Sequence, residues 1–332
     1  FYALQPNIIF ASVADSLSGK GLYRSNSFGG TWSLVNTWNV ASYQGFFAHW
    51  VAIHPQDLNQ IIHAGVQIYK SSNAGVHNIP TLGPHVDHHN FARDPVDPDK
   101  IYIACDGGIY VSEDFGDSYE SIGYGLQTAQ FYNGFSSSHS DSMLAMGGLQ
   151  DNGTQIFRGT KNWQWVIGGD GCWTAINPAN DNFIYGEYQY NNIYRSEDRG
   201  YLFLSSTTGM DEPGAAFVAP FVLSPSHPSI LYSGRKSVFK STDNGNTWIS
   251  ASEPLDENAI LSMAVSPTNS NIVFAGTAPV LNRAHIFRTL NGGFEWQDVT
   301  GNLPDRYPMD IAIDPNNTNS IYVVFGGFGS GH

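Results

Sequence analysis

One short stretch of this chain sets the period of the rest. Residues 241–248 read Ser-Thr-Asp-Asn-Gly-Asn-Thr-Trp between two apolar segments. In such a stretch, the Asp243 carboxylate can accept hydrogen bonds from backbone N–H groups, and Gly245 can adopt the positive φ that a tight turn needs. The Trp248 ring can pack back over the hairpin. The stretch therefore predicts a β-hairpin turn with a structural role.

Copies of this turn recur along the chain, and each follows two apolar segments joined by a Pro, Asn or Asp turn. The copies start at Ser25, Ser71, Ser112, Ser196, Ser241 and Thr289, at intervals of 41 to 48 residues apart from one interval of 84. A degraded copy at residues 156–163 divides that double interval. We expect structural roles for Ser25, Trp32, Ser112, Asp114, Ser196, Asp198, Ser241, Asp243, Gly245, Trp248 and Trp296.

The period predicts the fold class. A repeat of roughly forty residues with four strands per unit is typical of a β-propeller, in which each blade buries its faces against its neighbours. Seven units contain a turn position, and an eighth begins at Met309. A β-sandwich would explain short strands but not a long-range repeat. We therefore predict an all-β propeller of seven or eight four-stranded blades, with residues 1–332 forming a single domain.

The charge balance excludes several partners. With 29 acidic and 15 basic residues, the formal net charge is −14, which disfavours nucleic acid and anionic membrane surfaces because both require clustered Lys and Arg. No apolar run approaches the ~20 residues that span a bilayer. The pairing of the two cysteines, Cys105 and Cys172, stays open. The chain begins at Phe1 without a methionine, so we expect any targeting segment to have been removed or to lie outside this sequence. We also expect further domains of the same chain.

The blade pattern also predicts where a site lies. With the strands of a blade labelled A to D in chain order, the Pro/Asn turns join A to B and the copies of residues 241–248 join C to D. Antiparallel alternation then puts the B–C turns and the D–A crossovers at the opposite end. The residues with the most chemistry lie at that end, in segments 85–89, 105–108, 127–132, 148–153, 168–171, 186–190 and 233–236.

A histidine cluster in the first of these segments suggests a metal site. His85, Asp87 and His89 offer the ligand types of a zinc or other transition-metal centre. No spaced partner motif such as HExxH accompanies them. The favoured alternative is that these imidazoles and that of His88 hydrogen-bond loop backbone and neighbouring carboxylates.

Carboxylates and aromatic rings share the same end of the blades. A pair of carboxyl groups roughly 5 to 9.5 Å apart would suit glycosidase chemistry, and the candidates are Asp106, Asp151, Asp170 and Glu187. Asp beside Gly is also common turn chemistry, so each can instead be structural. The rings can stack on sugars or fill the core between blades, and they are those of Tyr124, Phe131, Tyr132, Trp165, Trp173, Tyr188 and Tyr190.

These motifs resemble those of a known superfamily. The recurring turn resembles the Asp-box of the BNR-repeat superfamily, which includes sialidases, sortilin-type receptor ectodomains, a photosystem II assembly factor and two-propeller xyloglucanases. Residues 86–200 are also similar to secreted bacterial proteins usually labelled glycosyl hydrolase or sortilin-like, on the segments Asp-His-His 87–89, Asp-Gly-Gly-Ile-Tyr 106–110, Gln-Phe-Tyr 130–132, Gly-Gly-Leu-Gln-Asp-Asn-Gly-Thr 147–154 and Gly-Gly-Asp-Gly 168–171. The resemblance implies a propeller fold and an extracellular protein.

Two departures limit what the resemblance implies about activity. Sialidases hold their substrate with an arginine cluster, and this chain lacks their Arg-Ile-Pro motif, which argues against sialidase activity. Xyloglucanases place one catalytic Asp in an Asp-x-Gly-Gly-x-Tyr-Arg turn. The turn at Asp106 is similar but one residue shorter, with Val111 in place of the arginine. Their second catalytic Asp comes from a second propeller, for which Asp170 stands in only by analogy.

We therefore expect a secreted or cell-surface recognition or scaffold module that binds a polysaccharide or a protein ligand. The expected ligand-binding residues are His85, Asp87, His88, Gln150, Asn152, Glu187, Tyr188, Tyr190 and Arg235. The alternative is a glycoside hydrolase of endo-β-glucanase or xyloglucanase type that uses Asp106 with Asp170 or Asp151. The sequence specifies no cofactor, and a structural calcium or other divalent metal is compatible with the acidic composition.

Overall fold

The computed structural model describes residues 1–126 and 128–327, which contain strands and turns but no helix. Within these residues, there is accordingly no helix that could cross a membrane. The chain has two compact units, Phe1–Thr128 and Ala129–His332. Gln127, part of the predicted 127–132 segment, lies outside the described residues. The expectation of one domain over residues 1–332 stays a prediction.

The first unit contains three antiparallel sheets. Sheet 1 is β1 (Ile9–Ala14), β2 (Gly19–Ser25) and β3 (Ser33–Asn36); sheet 2 is β4 (Trp50–Ile53), β5 (Ile61–Ala64), β6 (Ile68–Ser71) and β7 (Ile79–Pro80); sheet 3 is β8 (His88–Arg93), β9 (Ile101–Cys105), β10 (Gly108–Ser112) and β11 (Glu120–Ser121).

The second unit contains five antiparallel sheets. Sheet 4 is β12 (Phe131–Ser137), β13 (Ala145–Leu149), β14 (Gly153–Phe157) and β15 (Gln164–Ile167); sheet 5 is β16 (Gly171–Ile176), β17 (Ile184–Tyr188), β18 (Asn192–Ser196) and β19 (Leu204–Ser205). Sheet 6 is β20 (Phe221–Leu223), β21 (Leu231–Gly234), β22 (Val238–Ser241) and β23 (Ile249–Ser250); sheet 7 is β24 (Ile260–Val265), β25 (Val273–Thr277), β26 (Ile286–Thr289) and β27 (Gln297–Asp298); sheet 8 is β28 (Tyr307–Ile313) and β29 (Ile321–Gly326).

Every sheet is a meander in which neighbouring strands follow each other in sequence. This succession of blade-like sheets confirms the β-propeller class and the predicted period. Within the described residues, six sheets have four strands, the first has three and the last has two. Strand order also confirms that, in each of the six sheets with an Asp-box, the B–C turn lies at the end opposite the box.

Apolar side chains fill the space between successive sheets of each unit. In the first unit, Ile62 of sheet 2 packs with Ile101 and Ile103 of sheet 3. In the second unit, Tyr185 of sheet 5 packs with Phe221 and Leu231 of sheet 6. The B strands thus supply large side chains to the core, and each of these sheets buries apolar surface against its neighbour.

The six Asp-boxes share one hydrogen bond. The hydroxyl of the first residue, Ser25 in the first copy and Thr289 in the last, accepts a bond from the N–H of the glycine four residues later, at 2.7 to 3.0 Å in every copy. In the copy at residues 241–248, Asn244 and Gly245 have φ values of 57° and 76°. The predicted positive φ at Gly245 is confirmed, and the preceding residue shares it.

The third residue of the box acts as a hydrogen-bond acceptor. The Asp243 carboxylate accepts bonds from Thr247 N at 2.9 Å and from Ser241 Oγ at 2.8 Å. Burial alone would raise the pKa of Asp243, but bonds from Thr247, Ser241 and Asn246 outweigh it and lower the pKa to about 2. Asn291 makes the same contacts through its amide oxygen, with Glu295 N and Thr289 Oγ1 both at 2.9 Å. The turn therefore requires an oxygen acceptor at this position, and the acceptor can be neutral.

The box tryptophans differ in burial. Trp248 is 3% exposed and donates its Nε1–H to Ser206 O at 2.7 Å, so it joins its own hairpin to sheet 5. Trp296 donates similarly to Ala251 O at 3.0 Å. Trp32 is 44% exposed. The predicted packing role therefore holds for Trp248 and Trp296, while Trp32 lies largely in solvent.

These contacts predict that replacement of Asp243 lowers stability in proportion to the acceptors removed. Asp243→Ala should reduce the free energy of unfolding by about 2 kcal/mol, because it strands the N–H of Thr247 and the hydroxyl of Ser241. Asp243→Asn, which reproduces the group at Asn291, is the matched control and should cost less than half as much. Urea titration measures both values. An equal loss in the two variants would contradict the acceptor role.

Candidate functional site

One buried carboxyl group interrupts a regular pattern of small residues in the B strands. In the other five four-stranded sheets, the fourth residue of strand B is alanine or glycine: Ala64, Ala104, Gly148, Gly234 and Gly276. In sheet 5, that residue is Glu187. The fold evidently needs no carboxyl group at this position, so the exception points to a function specific to sheet 5.

Glu187 lies opposite a β-bulge. Gly171 pairs with Tyr188 and Thr174 pairs with Gly186, so Cys172 and Trp173 together oppose Glu187. Glu187 is 0% exposed, and its carboxyl group accepts bonds from Trp173 N at 3.4 Å and from Asn191 Nδ2 at 3.3 Å. Burial raises the pKa of Glu187 well above 4.5, against smaller opposing effects of these two donors and of Arg235.

The B–C turn that follows Glu187 has an unusual backbone. Tyr190 and Asn191 have φ values of 65° and 61°, a left-handed pair without glycine. The buried Asn191 amide holds the base of this turn: its Nδ2 donates to Ser233 Oγ at 2.8 Å, and its Oδ1 accepts from Arg235 Nε at 3.3 Å. Arg235 in turn donates to the backbone carbonyl of Glu212. The turn is therefore held to strand B of sheet 6 and to the crossover before it.

An aromatic cluster with polar edges lies at the tip of the same turn. The rings of Tyr190 and Phe217, 56% and 41% exposed, meet edge to face with centroids 5.3 Å apart. The Tyr132 ring lies 6.3 Å from Phe217, and its hydroxyl donates to Asp170 Oδ2 at 3.2 Å. Gln189 Oε1 accepts from Asp170 N at 2.9 Å. We call Tyr132, Asp170, Gln189, Tyr190 and Phe217 the Tyr190 cluster.

Of the predicted carboxylates in the second unit, Asp170 and Asp151 both act on Tyr132. Burial first, and then the charges of Asp170 and Asp151, raise the pKa of the Tyr132 hydroxyl. Asp151 itself has a φ of 59° in the turn after β13. Gln150 and Asn152 take part in the same turn, since Gln150 N bonds Gln130 O at 2.9 Å and Asn152 Nδ2 bonds Gln150 O at 3.1 Å.

Other predicted ligand-binding residues of this unit have supporting positions. Glu187 has no exposed surface, and Arg235 is engaged with Asn191 and Glu212 behind the turn. Tyr188 packs on Tyr194, with ring centroids 5.9 Å apart, beside the core of sheets 4 and 5. These residues lie near the predicted site, where they support the turn and the adjoining core.

In the first unit, the predicted histidine and aspartate residues bond each other and loop backbone. Asp87, buried with a φ of 63°, accepts from Gln44 Nε2 at 2.9 Å. His88 donates from Nδ1 to Gly65 O at 2.9 Å. His89 Nε2 makes a short contact with Asp106 Oδ1. Burial and then the Asp106 charge raise the pKa of Asp87, while burial lowers the pKa of His88.

These contacts match the alternative to the metal hypothesis. His85 Nδ1 also bonds backbone, at 3.1 Å from Val86 O. Across residues 1–126 and 128–327, no group of three or more His, Cys, Asp or Glu side chains is arranged to hold a metal ion. The suggested ligand set of His85, Asp87 and His89, and a structural calcium, thus find no support in the arrangement.

The two cysteines are separate buried thiols. Cys105 and Cys172 are both free. Cys172 lies beside the bulge, with Sγ 3.4 Å from Asp170 O. Burial, together with the charges of Glu187 and Asp170, raises its pKa. This thiol therefore stays protonated and acts as a small core side chain.

A cleft of about 540 Å³ in the first unit lies at the Asp-box end of sheets 2 and 3. Its charged groups are largely paired, His54 with Asp99 at 3.0 Å and Lys70 with Asp117 at 2.7 Å. Asp114, which also lines it, is committed to the Asp-box turn through Ser118 N at 2.8 Å. We attach more weight to the Tyr190 cluster, where polar groups meet exposed rings.

The sequence interpretation missed Asn191 and Phe217. It included Gln189 and Ser233 in the segments 186–190 and 233–236 but gave them no role. Their roles depend on which side chains of neighbouring sheets and crossovers meet, and spacing along the chain does not reveal this. One signal was available, because Glu187 stands alone in a column of alanine and glycine when the B strands are aligned on their first residues.

The fold and its turns define this chain as a β-propeller protein with Asp-box hairpins. Residues 109–122, which contain the box of sheet 3, match the BNR-Asp box repeat. No curated protein matches the chain.

Among solved structures, the chain is similar to a GH74 xyloglucanase from Xanthomonas campestris, at 16% identity and a TM-score of 0.39 over 98% of this chain and 50% of that one. It is also similar to an ancestral GH74 enzyme, at 20% identity and a TM-score of 0.36 over 83% and 34%, and to YCF48 bound to D1 peptide, at 12% and 0.33 over 81% and 93%. The chain spans half or less of those two GH74 structures. At these values, none of the similarities assigns an activity.

Burial of Glu187 predicts a pH dependence of stability. The unfolded chain ionises this carboxyl group from pH 4.5 upward, whereas the folded protein keeps it protonated to a higher pH. Its stabilising contribution is therefore complete below pH 4.5 and is lost as the pH rises toward the folded pKa. Relative to Glu187→Gln, the wild type should lose up to about 1.4 kcal/mol of unfolding free energy per pH unit over that window.

The measurement is a pair of urea titrations of the two proteins at each pH between 4 and 8. The other ionisable side chains nearby, those of Asp170, Cys172, Glu212 and Arg235, are present in both proteins, so their effects largely cancel in the difference. A difference that stays constant over this range would show that Glu187 ionises normally.

Proposed function

We propose that this protein is a secreted or cell-surface recognition module that binds a glycan through B–C turns and D–A loops. The Tyr190 cluster, at the ends of sheets 4 and 5, is the part of this surface that contacts the sugar. Of the two partner classes expected from the sequence, glycan and protein, the cluster favours glycan. Further domains of the same chain would place the module next to its ligand source.

The observation that carries this proposal is the combination of exposed rings and fixed polar atoms. Tyr190 and Phe217 present apolar ring surface to solvent, which suits the C–H faces of a pyranose. The Asp170 carboxylate and the Gln189 amide lie within the same cluster and are oriented by bonds to Tyr132 Oη and to the backbone. Such groups can hydrogen-bond sugar hydroxyls beside the rings.

The contacts of the aspartates favour binding over catalysis. The Asp170 carboxylate is tied to the Tyr132 hydroxyl, and the Asp106 carboxylate is tied to the His89 imidazole. A carboxylate engaged through one oxygen is oriented by the protein and can hydrogen-bond a sugar hydroxyl through the other. A general acid or base must instead direct an available oxygen at the scissile bond.

One observation supports the alternative of a glycoside hydrolase. Asp87 has a raised pKa, owing to burial and then to the charge of Asp106. Two neighbouring carboxyl groups, one of which has a raised pKa, are an arrangement that acid–base catalysis uses. The hydrolase hypothesis keeps the candidate catalytic residues expected from the sequence, Asp106 with Asp170 or Asp151.

Binding to a panel of plant and microbial polysaccharides tests the proposal. Affinity electrophoresis of the full chain should show retention by at least one neutral polysaccharide. Tyr190→Ala should weaken it about tenfold or more, because a stacking partner and its buried area are lost. The matched control is Tyr201→Ala, which removes a 77% exposed tyrosine next to the Asp-box of the same sheet. Equal retention of Tyr190→Ala and wild type would contradict the proposed surface.

Reducing-end release measured on the same panel separates module from enzyme. The module predicts retention without release, unchanged by Asp106→Ala. Release that disappears in Asp106→Ala would establish the hydrolase instead. Retention of a protein ligand together with no retention of any polysaccharide would contradict the glycan assignment.

A further inference from the structure

The turn that displays Tyr190 has a conformation that its own sequence does not favour. Residues 189–191 read Gln-Tyr-Asn, and the last two adopt the left-handed region. Asparagine tolerates this region, but tyrosine does so only when the surroundings enforce it. The position of the Tyr190 ring therefore depends on contacts at the base of the turn.

Two of these contacts involve neighbours of Asn191: Tyr190 N donates to Phe217 O at 2.9 Å, and Asn192 Nδ2 donates to Gln189 O at 2.7 Å. The other side-chain contacts at the base of the turn meet at Asn191. Its fully buried amide meets three groups: the Glu187 carboxyl group at 3.3 Å, the Ser233 hydroxyl at 2.8 Å and the Arg235 guanidinium at 3.3 Å. Ser233 lies in strand B of the next sheet and Arg235 lies in the turn after that strand, while Glu187 is the last but one residue of the strand that leads into the 189–191 turn. Glu187 is thus the member that connects the turn to its own strand.

We propose that Glu187 is a positioning residue, which holds the 189–191 turn in its ligand-binding conformation through Asn191. This inference rests on the proposed glycan site and assigns a role to the one B-strand position where the other four-stranded sheets use alanine or glycine. Glu187 does not contact the sugar, because it has no exposed surface.

The β-bulge in β16 provides a hydrogen-bond donor for Glu187. Because Cys172 and Trp173 together oppose Glu187, the Trp173 N–H is available to its carboxyl group at 3.4 Å. The nearby charges are those of Asp170 on the crossover, Arg235 on the next B–C turn, and Glu212 and Asp211, which interact with Arg235. Glu187 therefore accepts hydrogen bonds from Trp173 N and Asn191 Nδ2 and has the Arg235 guanidinium nearby.

The test places 3-fluorotyrosine at position 190 of the full chain and records its ¹⁹F NMR signal without ligand. Glu187→Gln keeps an oxygen acceptor and a similar volume, so its signal should match that of the wild type. Glu187→Ala, which introduces a residue that sister strands carry, should shift or broaden the signal. Asn191→Gly permits the same backbone but removes the amide, and it should behave like Glu187→Ala.

The control is Thr277→Val on β25. Thr277 is fully buried and bonds Asp256 Oδ2 at 2.7 Å, so its loss should lower stability without moving the ¹⁹F signal at position 190. If Glu187→Ala fails to fold, Asn191→Gly provides the same comparison. An unchanged signal in the folded variant would overturn the positioning role.

Affinity for the polysaccharide that the wild type binds gives the second readout. We expect a loss of at least about tenfold in Glu187→Ala, near wild-type affinity in Glu187→Gln, and no loss in Thr277→Val. Different results would contradict the proposed glycan-binding function and the proposed positioning role of Glu187. If no polysaccharide binds the wild type, the proposed function fails while the ¹⁹F comparison still decides the positioning role. If the polysaccharide binds Glu187→Ala as well as it binds the wild type, the positioning role fails and the module stands.

Discussion

The hydrogen bond from a glycine N–H to a serine or threonine hydroxyl is the interaction on which the rest of this structure depends. It recurs in all six Asp-boxes with nearly the same length. It closes the C–D hairpin around two left-handed residues, as at Asn244 and Gly245, and so fixes which residues pair in the outer strands. The third-residue acceptor reinforces this bond, and an amide such as that of Asn291 replaces the carboxylate. The Asp-box sequence thus specifies the geometry of the turn, and this geometry does not require a negative charge at the third residue.

Because the hairpins fix one end of each sheet, the other end is free to vary. The variation appears at the start of the A strands, where the pairing with strand B is irregular in sheets 3, 4, 5, 7 and 8. A bulge turns a side chain away from the regular alternation. In sheet 3 the bulge presents His89 to Asp106, and in sheet 5 it brings the Trp173 N–H to Glu187. The chemically unusual contacts of both units therefore share one structural origin.

The sequence predicted the parts of the structure that repeat and missed the parts that occur once. The period identified the sheets, the Asp-boxes and the end of each sheet that carries His88, Asp106, Asp170 and Tyr190. It did not reveal that Glu187 is buried, because burial depends on packing in the folded protein, where Trp173 N and Asn191 Nδ2 contact its carboxyl group. Asn191 was missed and Ser233 was given no role for the same reason, since neither resembles a site residue until the two meet. Repetition reports local geometry, whereas this site depends on contacts between different repeats.

The buried position of Glu187 lowers the stability of the fold, and it supports the turn that displays Tyr190. A carboxyl group withdrawn from water costs free energy unless it is protonated or fully paired, and its bonds to Trp173 N and Asn191 Nδ2 are long. Alanine or glycine fills the corresponding position in every other four-stranded sheet of this chain, so the blade can be built without the acid. The turn that follows Glu187 in sheet 5 is also the one that combines two left-handed residues with an exposed tyrosine. Burial of Glu187 thus costs free energy in sheet 5, where the 189–191 turn needs support from contacts outside the turn. Such a cost is expected when a residue is retained because it holds the turn that displays the Tyr190 ring.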